Sequence, residues 1–363
     1  MEENTLYYLG FSHCMGIGPL TFDALVHHFE TVKNAYNAPV KDLQELIGSS
    51  TGEKFVAFRN KFDPEQKLKE IQDKNITVLT REDARFPPQL KNLADIPICL
   101  YVKGDLSQFN FIQDTFFAIV GTRNTTLYGR QIAQQFAAEL ASTGMTIVSG
   151  MAKGIDAIAH ASALGASGKT IAFLGCGVDI IYPPENEDLY NRIITGHGLV
   201  ISEFPPGMTV LKGMFIARNR LVSGLSQGVL VVEGMKNSGS LITARLAAEQ
   251  GKEVFAPPAP ITSLQSEAPN LLIKEGAKLV TSVEDILQEY NLKLTVKKNQ
   301  KIDLDLTLEE KIVYEVLQNE SLTCDDIAIK CVRPIYKVLS ILTSLEMNGG
   351  VQKNEEGKYE IIL

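Results

Sequence analysis

The chain has 363 residues, of which 45% are hydrophobic and 21% are charged. This composition excludes wholesale disorder, and at roughly 100–200 residues per domain the length indicates two or three domains. The formal net charge of −8 excludes a protein that binds nucleic acid through its overall charge, so any such site must be a local positive patch.

The first 75 residues carry apolar side chains at helical spacing, which predicts short helices at Leu6–Leu9, Thr21–Phe29 and Leu43–Ile47. Between the first two stands the segment Met15–Pro19 (MGIGP), whose backbone N–H groups would face a DNA phosphate in a helix-hairpin-helix motif. The alternative is a plain helix–helix turn, in which glycine supplies a positive φ. We favour the plain turn because no Lys or Arg flanks it. Residues 1–75 are therefore predicted to form a helical domain of the helix-hairpin-helix or SAM-like type.

From residue 116 onward, short apolar runs alternate with helical patterns. The predicted strands are Phe116–Val120, Met145–Ser149, Thr170–Leu174, Leu199–Ser202, Gly228–Val232 and Glu253–Ala256. The predicted helices are Tyr128–Ser142, Ile155–Leu164, Asn186–Ile194, Ala217–Leu225 and Leu241–Gln250. Continuously apolar strands that alternate with helices indicate a parallel sheet covered on both faces. The sequence thus predicts an α/β fold, with an extended, doubly wound Rossmann-like sheet over residues 76–290.

The last part of the chain predicts a linker and a small third domain. Residues 291–306 are polar and rich in charge, which is typical of a linker. Three helical patterns and a terminal hairpin then predict a winged-helix domain over residues 307–363. Its candidate recognition helix, Pro334–Asn348, carries Lys337 but also Glu346, and residues 301–363 hold 7 basic against 12 acidic residues. Duplex binding by this domain is therefore disfavoured, and protein contact or structural packing is favoured.

Glycine-rich segments follow four of the predicted strands. They are Gly121-Thr122-Arg123, Ser149–Asp156, Gly175–Asp179 and the segment from Glu233 to Ser238-Gly239-Ser240. Each alone is no more than a turn, and neither a G-x-G-x-x-G fingerprint nor a phosphate-binding P-loop is present. Together they would meet at the carboxyl edge of the sheet, where glycines and helix N-termini favour an anionic, phosphate-bearing ligand.

A basic stretch with aromatic residues follows the fourth predicted strand. It contains Phe204, Lys212, Phe215, Arg218, Asn219 and Arg220. Cations that neutralise phosphates beside an aromatic ring that stacks a base are typical of single-strand binding. The alternative is structural: Phe215 would then belong to the core, and the arginines would pair with acids such as Glu233. Arg218 and Arg220 would lie on different faces of one helix, so we expect them to have different roles.

These segments belong to an ordered series of motifs. They read IVGTR at 119–123, SGMAKGID at 149–156, TIAFLGCGVD at 170–179, YPPEN at 182–186, ARNR at 217–220 and SGSLITA at 238–244. Over residues 80–285 they closely resemble the DprA/Smf family of bacterial DNA-processing proteins. The helical N-terminal part and the winged-helix part match the layout of longer family members.

The resemblance implies a non-enzymatic protein that binds single-stranded DNA during natural transformation, protects it and helps to load the RecA recombinase. It also implies a homodimer formed through the Rossmann-like domain. No cofactor is expected, and five histidines without an H-E-x-x-H or H-x-E spacing predict no metal site. The implied nucleic-acid-binding residues are Gly121, Thr122, Arg123, Lys212, Phe215, Arg218, Asn219, Ser238, Gly239 and Ser240. The sequence departs from the family pattern at Ala259 and Ala268, where glycines are usual. If those glycines have positive φ, the loops at 257–270 must differ or carry strain.

An enzyme of another class is the alternative. Rossmann-like nucleotide phosphoribohydrolases of the lysine-decarboxylase-like family have a similar sheet, but their Pro-Gly-Gly-x-Gly-Thr-x-x-Glu motif is missing here. The corresponding segment, residues 231–240, lacks the paired Arg and Glu that general acid–base catalysis would need. A third possibility is a scaffold whose C-terminal domain recruits partners.

Location and charge distribution complete the expectations. Five cysteines without a Cys-x-x-Cys pair, no secretory signal and no long apolar run predict a cytoplasmic protein without membrane contact. Residues 1–114 hold 12 basic and 16 acidic residues, whereas residues 115–256 hold 11 and 10. The sequence therefore predicts that the central domain holds the DNA and that the flanking domains do not.

Overall fold

The structure is a computed structural model that describes residues 2–211, 213–290, 307–317, 321–347, 351–353 and 357–361. The chain divides into two compact units, Met1–Thr295 and Val296–Leu363. The predicted linker, residues 291–306, lies outside the described residues. The three-domain division therefore stays a prediction.

Short helices fill the N-terminal part of the first unit. They are α1 (Glu2–His13), α2 (Pro19–Phe29), α3 (Val32–Asn37), α4 (Val40–Ile47), α5 (Ser49–Arg59) and α6 (Pro64–Asp73). Buried aromatic rings hold them together, and Phe11 stacks on Phe55 with ring centroids 4.9 Å apart. In the turn between α1 and α2, Gly16 has a φ of +101°, the conformation that the plain helix–helix turn needs from glycine.

One sheet crosses the first unit. Its strands are β1 (Thr77–Thr80), β2 (Cys99–Gly104), β3 (Phe116–Val120), β4 (Thr146–Ser149), β5 (Thr170–Phe173), β6 (Gly198–Ser202), β7 (Gly228–Val231), β8 (Glu253–Ala256) and β9 (Lys278–Leu279). Among the described residues these nine strands follow the order β1-β2-β6-β5-β4-β3-β7-β8-β9. The seven strands β6, β5, β4, β3, β7, β8 and β9 are mutually parallel. Strand β2 pairs antiparallel with β6, and β1 pairs antiparallel with β2. The predicted α/β fold with a doubly wound sheet is confirmed.

Helices cover both faces of the sheet. They are α7 (Leu127–Ser142), α8 (Ile155–Gly165), α9 (Glu187–Thr195), α10 (Met214–Leu225), α11 (Gly239–Glu249), α12 (Glu267–Lys274) and α13 (Val283–Glu289). Strand β3 is buried on both sides, because Phe117 and Ile119 face the core under α7 while Phe116 and Ala118 face the core under α10. This alternation explains why the strand reads as an uninterrupted apolar run. In the part of the chain that the structure describes, no helix is long and apolar enough to span a membrane.

The strand order locates the ligand crevice of the sheet. From β3 the chain moves outward in one direction through β4, β5 and β6, and it then returns to place β7 on the other side of β3. The direction of winding therefore reverses between β3 and β7. In doubly wound folds, ligands bind outside the carboxyl ends of the strands at this point.

The second unit contains three helices and a hairpin within its described residues. They are α14 (Leu308–Leu317), α15 (Cys324–Cys331), α16 (Ile335–Met347), β10 (Val351–Lys353) and β11 (Tyr359–Ile361). The two strands are antiparallel, and the helices share a core that includes Val313, Ile327 and Leu342. The element order is the predicted one, while the winged-helix assignment stays a prediction.

A buried histidine couples this fold to pH. His160 on α8 is fully buried, and its Nδ1 atom lies 2.6 Å from the Thr170 hydroxyl on β5. Burial, and secondarily the charge of Arg218, lowers the pKa of His160 to about 3. Because the unfolded chain protonates this residue near its ordinary pKa of about 6.5, native stability falls as the pH drops below about 6.5.

We expect His160→Asn to reduce the loss of unfolding free energy between about pH 7 and about pH 5, because one proton uptake linked to unfolding is removed. Urea unfolding at each pH measures the slope, so any constant cost of the substitution cancels. The exposed His28 on α2 supplies the control, and His28→Asn should keep the wild-type slope. A wild-type slope in the His160→Asn protein would contradict the prediction.

Candidate nucleic-acid interface

A cavity of about 490 Å³ opens between the carboxyl ends of β3 and β7. Its lining includes nine of the ten residues predicted to contact nucleic acid, namely Gly121, Thr122, Arg123, Phe215, Arg218, Asn219, Ser238, Gly239 and Ser240. The tenth, Lys212, lies outside the described residues. Three of the four glycine-rich segments that the sequence assigned to one sheet edge therefore line this cavity, whereas Gly175–Asp179 does not.

The loop after β3 is held by backbone contacts on both sides. The Thr122 N–H donates to the Glu233 carbonyl at 2.8 Å, and the Ile155 N–H donates to the Thr122 carbonyl at 3.2 Å. Gly154 packs so closely that a Cβ there would collide with the Thr122 carbonyl, and its φ is +80°. Glycine is therefore required at 154. The fixed loop leaves the Arg123 side chain exposed at the mouth of the cavity.

Arg123 and Phe215 form the centre of the site. The guanidinium carbon of Arg123 lies 5.5 Å from the centroid of the Phe215 ring, a cation–π contact. Tyr182 lies beside the same ring, with centroids 5.6 Å apart. Phe215 is half-buried in the cavity wall. The sequence left open whether this ring belongs to the core or is available to stack on a base, and its position lies between the two.

Arg218 forms the floor of the cavity, with its side chain buried. Its guanidinium donates to the carbonyl oxygens of Gly150 and Phe173, which ties α10 to the ends of β4 and β5. Burial lowers the pKa of Arg218, and the nearby Asp156 carboxylate counters that shift. Asp156 in turn accepts from the Gly150 N–H at 3.2 Å. In the structure, the Arg218 guanidinium therefore binds backbone groups of the protein itself. Its contact with nucleic acid stays a prediction.

Arg220 points away from the cavity, as the helical spacing predicted. It donates to Asp95 at 2.7 Å and to Glu203 at 2.6 Å, and both Arg220 and Glu203 are largely buried. These two ion pairs anchor α10 to the end of β6 and to the segment before β2. The acid named in the sequence-based expectation was Glu233, and that pairing is wrong because the Glu233 carboxylate is bound elsewhere.

The Glu233 carboxylate occupies the N-terminus of α7. It is buried and accepts from the Thr126 N–H at 3.0 Å and from the Thr126 hydroxyl at 2.5 Å. Gly129, in the first turn of α7, leaves the space that this carboxylate fills. In dinucleotide-binding sheets, the helix N-terminus after the first strand receives a pyrophosphate. Here the protein's own carboxylate takes that place, so this helix end does not bind a ligand anion.

The N-terminus of α11 opens into the cavity instead. The Ser238 hydroxyl caps the helix by accepting from the Ser240 N–H at 3.2 Å, and the two hydroxyl oxygens lie 2.6 Å apart. The Asn219 side-chain amide reaches the Gly239 carbonyl at 3.4 Å, which connects this turn to α10. Exposed N–H groups at a helix start favour negative charge.

The residues between Glu233 and Ser238 also line the cavity, and they were missing from the predicted contacts. Met235, Lys236 and Asn237 are all exposed there, and the Lys236 N–H donates to the Glu267 carboxylate at 2.8 Å. The signal was present in the sequence, because a lysine inside a glycine-rich segment at the ligand edge is a candidate phosphate contact.

Ala259 and Ala268, the positions at which the resemblance implies glycine, fit without strain. Neither Ala259 nor Ala268 is among the described residues with positive φ. Ala268 is fully buried in the first turn of α12, and its N–H donates to the Gly234 carbonyl at 2.7 Å. The Ala259 carbonyl accepts from the Asn270 side chain at 3.1 Å. These positions therefore do not need the conformational freedom of glycine.

Residues 77–291 match the sequence model of a family described as DNA recombination-mediator protein A. Over 306 residues the chain is 37% identical to Protein Smf of Escherichia coli strain K12, an alignment that covers 82% of this chain and 81% of that protein. The match extends beyond the motif-bearing edge of the sheet to most of the chain.

Two solved structures share the fold and the sequence. The X-ray structure of DNA processing protein A (DprA) from Streptococcus pneumoniae superimposes with a TM-score of 0.69 at 35% identity, covering 80% of this chain and 98% of that one. DNA processing protein A from Helicobacter pylori, a structure described for its single-stranded DNA binding mode, gives a TM-score of 0.54 at 34% identity. It covers 60% of this chain and 95% of that one.

Gly129→Ala tests the carboxylate at the start of α7. The added Cβ would overlap the Glu233 carboxylate, so we expect the variant to lose about 1–3 kcal/mol of unfolding free energy. Gly165→Ala, at the end of α8 with open space around it, should be neutral or stabilising. In a double-mutant cycle by urea unfolding, Glu233→Ala should remove the penalty of Gly129→Ala, and strict additivity would contradict the account.

Proposed function

The chain belongs to the DNA recombination-mediator protein A family, and from this membership we propose that it binds and protects single-stranded DNA during DNA processing and natural transformation. The observation that carries the proposal is the exposed Arg123 guanidinium above the half-buried Phe215 ring at the mouth of the cavity. A cation beside an aromatic face offers one contact to a phosphate and one to a base.

The recessed position of Phe215 supports a single-stranded ligand. A base must leave the helical stack before it can reach a ring in the wall of a cavity, and this costs least for the bases of a single strand, which are already unpaired. The cavity of about 490 Å³ lies within the range of small-ligand pockets, which suits an unpaired nucleotide. Arg123, Lys236 and the N-terminus of α11 supply the contacts to the DNA backbone. Lys212 is the further cation that the sequence predicts.

We propose that the site binds DNA without catalysis. The carboxylates around the cavity are engaged by the protein: Glu233 by Thr126, Asp156 by the Gly150 N–H, and Glu267 by the Lys236 N–H. A general acid or base must be able to reach a proton on the ligand. Binding and release of the strand are therefore the proposed chemistry.

The proposal extends to partners and location. The family's description as a recombination mediator supports RecA as the recombinase that receives the DNA. The resemblance to the family supports a homodimer formed through the Rossmann-like domain. The described cysteines form no disulfide, which supports the reducing cytoplasm as the location.

Arg123→Ala combined with Lys212→Ala should abolish the mobility shift of an oligo-dT probe, because two phosphate contacts are lost. For Arg123→Ala alone, the slope of log K against log salt should become shallower by about 0.7 for the lost phosphate contact. Arg192→Ala is the matched control, because Arg192 is exposed at the far end of α9 and pairs with Asp188. Binding that survives in the double variant would remove this cavity from the proposal.

Phe215→Ala should weaken oligo-dT binding by the worth of one stacked base, about 1–3 kcal/mol, or roughly 5- to 150-fold. Fluorescence anisotropy with an abasic oligonucleotide separates stacking from structural damage, since the variant and the wild type should bind that probe equally. Phe204→Ala is the aromatic control because Phe204 does not line the cavity. Equal losses on both probes would refute stacking.

A further inference from the structure

Large apolar side chains are exposed together on the second unit. Among its described residues, Ile329 is 76% exposed, Val332 87%, Ile335 48%, Tyr336 76% and Leu339 44%. They occupy the end of α15, the turn after it and the first turns of α16. The unit has a separate buried core, to which these five side chains do not belong. We call this group of five the corner surface. Clustered exposed apolar groups of this kind mark interaction sites.

Val332 at the tip of the corner adopts a costly conformation. Its φ and ψ are both 51°, the left-handed region that β-branched residues rarely enter and that glycine usually supplies after a helix. The turn is nevertheless well made, because the Arg333 N–H donates to the Ala328 carbonyl at 3.0 Å. The isopropyl group of Val332 lies in solvent, so the packing of the unit itself does not use it.

The chemistry of the corner surface does not suit a nucleic acid. A helix that reads DNA presents cations and hydrogen-bond donors. On α16 the exposed positions Ile335, Tyr336 and Leu339 are apolar or aromatic, and Lys337 is paired with Glu309 at 2.5 Å. A protein surface with matching apolar groups therefore fits better.

The charges along α15 identify that protein surface. Asp325 and Asp326 are exposed at its start, Ile329 in its last turn, and Lys330 and Arg333 at and just beyond its end. Asp325 precedes Ile329 by one helical turn, and Arg333 follows the end of the helix on the other side of Ile329. An antiparallel copy of the same surface would therefore set acid against base on both sides of an apolar centre, the self-complementarity that a two-fold interface requires.

We propose that the corner surface pairs with the corner surface of a second copy of this chain. A two-fold axis passes near Ile329, and Asp325 of each chain faces the partner's Arg333. Glu309 lies within electrostatic range of Arg333 in the same chain and tempers its charge, so the apolar groups supply most of the attraction. This proposal does not depend on the DNA-binding role of the cavity.

Cross-linking of the full chain tests the pairing. On a two-fold axis residue 329 meets its own copy, so Ile329→Cys should form a disulfide-linked dimer under mild oxidation. Leu20→Cys, at a position 65% exposed on α2, reports random collision between equally accessible thiols, and the wild type reports the native cysteines. We expect Ile329→Cys to exceed both controls on non-reducing gels. A yield no higher than that of Leu20→Cys would overturn the proposal.

Charge reversal makes the test specific. In the Ile329→Cys background, Asp325→Arg or Arg333→Asp alone should lower the cross-linked fraction about fivefold, the size expected for two exposed ion pairs. The combined Asp325→Arg and Arg333→Asp swap should restore it, because the exchanged charges are again complementary. Failure of the swap to restore the cross-link would overturn the proposal. So would a corner surface that binds DNA instead, with Ile329→Glu weakening oligonucleotide binding and the Ile329→Cys cross-link no stronger than that of Leu20→Cys.

Discussion

The buried carboxylate of Glu233 decides where this sheet can receive an anion. It stands at the end of β7 and closes the N-terminus of α7, while its own backbone carbonyl holds the loop that follows β3. One residue therefore joins the two strands between which the direction of winding reverses. With α7 closed, the N-terminus of α11 and the side chain of Arg123 supply the positive potential. The sheet therefore has the topology of a dinucleotide-binding fold, but the helix end that would receive a pyrophosphate in such a fold is filled by the protein's own carboxylate.

Two arginines of α10, Arg218 and Arg220, connect this edge of the sheet to the rest of the first unit, and they bind different kinds of partner. Arg218 binds the carbonyl groups at the ends of β4 and β5, and Arg220 binds the carboxylates of Asp95 and Glu203. The helix is thus fixed on two sides of its axis. Phe215, in its first turn, inherits this rigidity, which keeps the ring in the cavity wall without burying it.

The parts of this fold that the sequence predicted are those with an unambiguous pattern of apolar residues, whether periodic or continuous. Strand β3 faces two cores and is apolar throughout, so its type and limits were readable, as were the motifs that follow the strands. Strands β1 and β2 precede the strand–helix alternation and pair antiparallel, so the pattern used for the others did not reveal them. The partner of Glu233 is Thr126, 107 residues away, a distance across which one sequence carries no pairing signal. Periodicity distinguishes buried positions from exposed ones. It could not predict the position of Phe215, because this ring is half-buried.

The stacking of Arg123 on Phe215 has a consequence for the rate at which a strand is exchanged. Before DNA arrives, the guanidinium covers the ring, so an incoming base must displace it. In the proposed binding mode the freed guanidinium turns to the adjacent phosphate, and the loss of one contact is offset by the gain of two. Because the stacked base replaces an interaction already present, it gains less from the ring than it would from an uncovered one. The protein's own guanidinium therefore competes with the bound base for the same ring, and in the proposed binding mode this competition favours release of the strand.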